Sequence, residues 1–184
     1  MKWSVLVLLG LLAAAKAEIT AGICPEWTNV ETFDIPSYLG RWYEMARLPV
    51  AFELGISCVT VDYGPLSDTM ITVTNNGDLG NGIVTVEGTG TATNVTGQLM
   101  INLNGEDVGL YNVIDTDYVT YACVYTCEQL GDLKDETAWA FSRTTSYDPE
   151  TRDKVEAAYT KFGIDVTKFH ITPQGGDCVY APLP

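Results

Sequence analysis

The sequence predicts an all-β domain, a barrel or sandwich of eight short strands with one helix laid against it. Three observations predict it. Between Trp42 and Arg143, β-forming runs alternate with turn clusters at short intervals. The clusters Gly64-Pro65, Asn75-Asn76-Gly77-Asp78, Gly80-Asn81-Gly82, Asn104-Gly105 and Gly131-Asp132 contain residues that tolerate positive φ, so consecutive strands join in an up-and-down antiparallel order. After the last run stands the sequence's one long helix signal, opened by Asp148-Pro149-Glu150 and stopped by Gly163.

Taken in order, residues 1–17 read as a targeting segment. Lys2 starts it, Val5 to Ala15 is apolar or small throughout, and Ala15-Lys16-Ala17 fits a small-x-small cleavage site. A membrane span needs about 20 apolar residues, more than this run offers, and no later stretch is longer. The mature chain is therefore expected to be secreted and soluble, with residues 18–184 forming one domain. Pro36 and Ser37 suit a short helical turn, Gly40 supplies a φ closed to other residues, and Trp42 places a large indole at a strand entrance. The strand runs are 41–47, 56–63, 69–75, 82–92, 97–103, 107–114, 117–126 and 136–143. Leu99, Ile101 and Leu103 share one phase, which turns them inward; Trp139 and Phe141 share another. The opposite phase of that last run, Ala138 and Ala140, is also apolar, so both faces of the strand are covered. Val155, Ala158, Tyr159 and Phe162 recur at helical spacing and provide the cover. A further extended piece is expected at about 168–172.

Charge narrows the partners. The net charge is −14, and −16 once Lys2 and Lys16 are removed, which opposes nucleic acid and anionic membrane surfaces. Five cysteines follow the leader, so at most two bridges form within the chain and one thiol is left over. No metal site is expected: Cys123 and Cys127 lack a second pair at metal spacing, and His170 is the single imidazole. Asn94-Val95-Thr96 is a glycosylation sequon and predicts an exposed position.

Eight meandering strands with a Trp before the first and a helix after the last resemble the lipocalin family, and three motifs in order carry the resemblance. Gly40-Arg41-Trp42 is similar to the family's Gly-x-Trp signature, Thr116-Asp117-Tyr118 to its second motif, and Ser142-Arg143 to its third. The resemblance implies a closed eight-stranded barrel in which Gly40, Trp42 and Arg143 plug one end, the Arg packed over the Trp. The segment Thr116–Cys127 most resembles crustacyanin-type carotenoid-binding subunits, with insect bilin-binding lipocalins and apolipoprotein D next. That likeness implies bridges Cys24–Cys127 and Cys58–Cys178. The crustacyanin pattern has a third bridge to a helix cysteine, but Val155 stands at the matching position here. Cys123 is accordingly expected free, in phase with Cys127 and under the helix.

A barrel of this kind holds one small ligand, and burial favours an apolar one. The resemblance implies a bound carotenoid such as astaxanthin, or alternatively a bilin, fatty acid or sterol, with no catalytic cofactor. The expected lining is Leu99, Ile101, Leu103, Tyr118, Trp139 and Phe141, joined by Tyr63, Met70 and Tyr111. Leu48, Pro49, Val50 and Phe52 would form a lid loop at the open end, and a homo- or heterodimer would pair such ends. A thiol-dependent lipid isomerase needs a cysteine in the lumen, whereas Cys123 is expected outside it. No Gly-x-Ser-x-Gly, His-Glu-x-x-His or P-loop pattern occurs, so an enzyme is not expected.

Overall fold

The computed structural model describes residues 19–183; the expected leader lies outside the described residues. Ten strands form one sheet: β1 (Ile19–Ala21), β2 (Gly40–Arg47), β3 (Ser57–Pro65), β4 (Met70–Asp78), β5 (Ile83–Ala92), β6 (Gln98–Leu103), β7 (Glu106–Thr116), β8 (Tyr121–Leu130), β9 (Leu133–Ser142) and β10 (His170–Ile171). Among the described residues two α-helices accompany them, α1 (Ile35–Tyr38) and α2 (Pro149–Thr160). Strands β2 to β9 pair in sequence order, all antiparallel, and β9 returns to β2 through Tyr43–Ser142, Glu44–Phe141, Ala46–Ala140 and Arg47–Trp139. That last pairing closes an eight-stranded barrel. β2 covers β9 only along 139–142, and β1 pairs with β9 farther along, at 133–135.

Strand bounds shift by up to four residues: β4 runs on to Asp78 where 75 is expected, β9 begins at Leu133 where 136 is expected, and β8 is Tyr121–Leu130 where 117–126 is expected. Residues 117–120 form a turn, and β8 starts at Tyr121. Tyr118, Val119 and Thr120 are all β-formers, but the Asp117 carboxylate accepts the backbone N–H groups of Val119, Thr120 and Tyr121, and Tyr118 takes φ +65°. That local cap outweighs strand propensity. The expected extended piece at 168–172 contains β10, and only its first residue belongs to the helical turn Val166–Lys168 that precedes it.

The two faces of the wall bury two apolar clusters. The inner one gathers Trp42, Val61, Tyr63, Ile71, Val73, Leu99, Val113 and Val124 from successive strands. The outer one lies under α2, where Val155, Ala158 and Tyr159 meet Cys123, Tyr125, Ala138 and Ala140. Asp148 caps the helix by accepting the Thr151 N–H at 3.0 Å. Tyr159 Oη donates to Trp139 O at 2.7 Å, fixing the helix to the sheet.

The wall has a seam that the C-terminal segment fills. β2 and β3 pair from Gly40–Tyr63 to Tyr43–Thr60 and then part. β10 fills the gap by pairing with Arg47 and Ala46; Thr172 N–H donates to Met45 O and Cys58 N–H to Pro173 O. Gln174 Nε2 completes the insertion by donating to Glu44 O and Val59 O, one carbonyl from each parted strand. The disulfide Cys58–Cys178 locks this segment to β3, and Cys24–Cys127 ties the N-terminal segment to β8.

Candidate functional site

The barrel has one sealed end. Trp42 is 0% exposed, and its Nε1–H donates to Tyr38 O at 2.9 Å, so the buried indole leaves no polar atom unpaired. Arg143 lies over it with Cζ 3.6 Å from the ring centroid. Its guanidinium donates to Tyr118 O, Arg41 O and Ser37 O, each at 3.0 Å, and so pins three chain segments across the end. Gly40 has φ +90°, and a Cβ there would meet Arg143 Nη1 at 3.4 Å.

Enclosure falls off from that end. Leu99 is 1% exposed, and Val113, Ala122 and Val124 are 0%. Farther along the same inward phases, Val84, Val86, Leu103 and Trp139 are half-buried. Inward side chains are thus sealed at the Trp42 end and reached by solvent at the other. On β5 the inward Gly90 has no side chain; a Cβ there would lie 3.1 Å from Ile71 Cγ1, so a larger residue would crowd the interior.

The floor is phenolic. Tyr63 Oη donates to Tyr111 Oη at 2.9 Å, and Tyr111 Oη shares a 2.8 Å hydrogen bond with Tyr38 Oη. Burial pushes all three hydroxyls well above the ordinary phenol range, so they stay neutral.

The mouth is charged. Glu44 and Arg47 point inward from β2 opposite Phe141 and Trp139, and both are buried. Arg47 Nη1 donates to Glu44 and to Thr172 Oγ1, its Nη2 donates to Glu53 O at 2.6 Å, and its Nε lies 3.0 Å from Glu53 Oε2. Trp139 Nε1–H donates to Glu53 Oε1 at 3.2 Å. Glu53 sits on the loop 48–56 after β2, so this cluster fastens that loop into the opening. Burial and the neighbouring Glu44 carboxylate push the Glu53 carboxyl up to about 9, against the pull of Arg47. Nothing in the apolar pattern signalled this cluster, although Glu44 shares the inward phase of Trp42.

Of the expected lining, Leu99, Ile101, Tyr63, Tyr111 and Phe141 are buried in the inner cluster, with Leu103 and Trp139 packed against it. Tyr38, Val61, Ile71, Val73 and Val113 join them and were missed. Two placements require correction. Met70 is on the outer phase, because its neighbours Ile71 and Val73 alternate inward opposite Gly90 and Gly88. Tyr118 belongs to the sealed end: its hydroxyl donates to Thr32 O and accepts the Asp34 N–H, and its ring packs on Phe33 and Tyr38. In the loop, Leu48 and Val50 are buried, Leu48 within the outer cluster, whereas Phe52 is 47% exposed. Cys123 is free, wholly buried in the outer cluster beside Val155, and burial with nearby Asp115 holds its thiol protonated. Asn94 is exposed in the turn between β5 and β6. Among the described residues no group of three or more His, Cys, Asp or Glu side chains is placed to hold a metal ion.

Residues 33–174 match the family model described as a lipocalin-like domain. Apolipoprotein D of Oryctolagus cuniculus is 32% identical over 173 residues, 91% of each chain. The outer membrane lipoprotein Blc of Escherichia coli (strain K12) is 32% identical over 179 residues, 92% of this chain and 98% of that one. Among solved structures, lobster apocrustacyanin A1 superposes with a TM-score of 0.76 at 23% identity, covering 87% of this chain and 93% of that one. Insecticyanin from the tobacco hornworm Manduca sexta gives 0.75 at 22%, covering 87% and 90%. These structural likenesses bear on the fold.

Proposed function

The chain belongs to the lipocalin family, and from that premise we propose that it is a secreted carrier holding one small hydrophobic molecule inside the barrel. The observation that supports it most is the gradient of enclosure: inward apolar side chains are sealed around Trp42 and open to solvent at Leu103 and Trp139. Such a one-ended apolar well favours an elongated apolar guest, since each Å² withdrawn from water contributes about 25 cal/mol. The residues proposed to touch the guest are Leu99, Ile101, Leu103, Trp139 and Phe141, with Tyr63 and Tyr111 at the floor and Phe52 at the rim.

A carotenoid is the proposed guest, supported by the likeness of Thr116–Cys127 to carotenoid-binding subunits. Residues 1–17 as a cleaved leader, 18–184 as one mature domain and a glycan on Asn94 complete the secreted reading, with which two disulfides agree. Exposed Phe52, Leu54, Leu79 and Ile83 around the open end support pairing of two such ends. A carrier rather than a catalyst is also favoured by Cys123, which lies outside the wall with its thiol protonated and offers the lumen no nucleophile.

The absorption spectrum of protein purified from its native source tests the reading. A visible band shifted from that of the free pigment supports a carotenoid or bilin. A colourless protein that releases fatty acid or sterol on extraction removes the chromophore and keeps the carrier. Protein that takes up no apolar molecule removes both.

A further inference from the structure

The three phenols at the floor carry one more proton than their mutual hydrogen bonds consume. Tyr38 on α1, Tyr63 on β3 and Tyr111 on β7 are all buried, and each hydroxyl brings one donor. Tyr63 spends its proton on Tyr111. The bond between Tyr111 and Tyr38 spends one more, whichever of the two donates. The third proton therefore stays on Tyr38 or Tyr111, and among the described residues neither oxygen has a further partner. Because burial keeps these phenols neutral, the proton is not lost by ionisation. A buried donor without an acceptor is costly, and an incoming acceptor relieves that cost.

We propose, resting on the carrier reading above, that the guest enters oxygen first: its leading end bears a neutral accepting oxygen, such as a ketone, aldehyde or ester carbonyl, that takes the surplus proton of the Tyr38–Tyr111 pair. An ionised carboxylate is unsuited to this floor. Arg143, the guanidinium at this end, already donates to three backbone carbonyls, and Arg47 at the other end is held by Glu44 and Glu53. The floor thus discriminates among apolar molecules of equal length by the chemistry of one end, and fixes which end goes down.

The test compares a long-chain methyl ketone with the alkane of equal chain length. Binding to the purified protein is measured by calorimetry, and the carbonyl band of the bound ketone is recorded in the infrared. The expected result is a ketone affinity about tenfold above that of the alkane, with the band moved to lower wavenumber as when a phenol donates to it. In the double variant Tyr38→Phe/Tyr111→Phe, with folding checked by circular dichroism, the affinity ratio falls toward one and the band returns to its position in hydrocarbon solvent. Should that variant fail to fold, the ketone-to-alkane ratio and band position in the wild-type protein decide the matter. Equal affinities, an unshifted band, or a preference that survives in the folded double variant overturns the proposal and leaves the carrier standing. Failure to bind either probe overturns both.

Discussion

Arg143 and Trp42 form a stacked pair across the sealed end, the guanidinium carbon 3.6 Å from the indole centroid and the indole wholly buried. The pair does two jobs. The ring fills the barrel's end, and the cation above it fastens the backbone of Ser37, Arg41 and Tyr118. Removing either member therefore damages a different property.

Trp42→Ala leaves a large void at the sealed end and orphans Tyr38 O. We expect a loss of about 3–5 kcal/mol, read from urea unfolding. A variant unfolding at the wild-type midpoint would show that the ring does not hold this end together.

Arg143→Lys keeps the charge but replaces a planar fork with a point donor. Carbonyls on three segments then compete for one ammonium, and a loss of about 2 kcal/mol is expected, with amide exchange rising at residues 117–120. Unchanged protection of that turn would contradict the role given to the fork.

Glu53 predicts a pH response at the mouth. Its folded pKa of about 9 lies above the unfolded carboxyl value of about 4.3. The group's stabilising contribution is therefore complete below the unfolded value and is lost as pH rises toward 9, where a second charge appears beside Glu44. We expect exchange of the 48–56 loop to accelerate over that interval and Trp139 emission to change with it. Glu53→Gln should flatten both dependences; an identical slope in the variant would assign the response elsewhere.

Cys123 predicts chemical silence. Its thiol is enclosed under α2, so a disulfide reagent at pH 8 should leave it unmodified in the folded protein and label one thiol after unfolding. Cys123→Ala should cost about 1 kcal/mol. Rapid labelling of the native protein would mean that the helix does not cover it.

Much of this architecture was legible in the chain because turn residues punctuate it. Asn104-Gly105 and Gly131-Asp132 mark hairpins, and the phase of Leu99, Ile101 and Leu103 is unambiguous because polar residues alternate with them. Where both neighbours are apolar, as at Met70 and Ile71, period alone does not choose a face; pairing with β5 does. The start of β8 was hidden because Asp117 acts through three backbone N–H groups, a geometry that composition does not show. β1 depends on a partner more than a hundred residues away in sequence, so its own residues carry little signal, whereas β10 is legible as an extended piece but its place beside β2 is not. The Glu44–Arg47–Glu53 cluster is not legible in apolar alternation, because the inward positions it uses on β2 are charged. Tyr63 and Tyr111 were legible as lining, but their shared network depends on Tyr38 in a four-residue helix.

The seam between β2 and β3 gives the barrel a direction in time. The barrel strands are complete at Ser142, but the gap between β2 and β3 is closed only by residues 170–174, which are made after all of them. Until they arrive and Cys178 finds Cys58, Glu44 lacks Thr172 and the strand carbonyls of Glu44 and Val59 lack Gln174. A product cut short before residue 170 would carry all eight barrel strands and still be open along one side, so a segment made after the last of those strands decides whether the wall is whole.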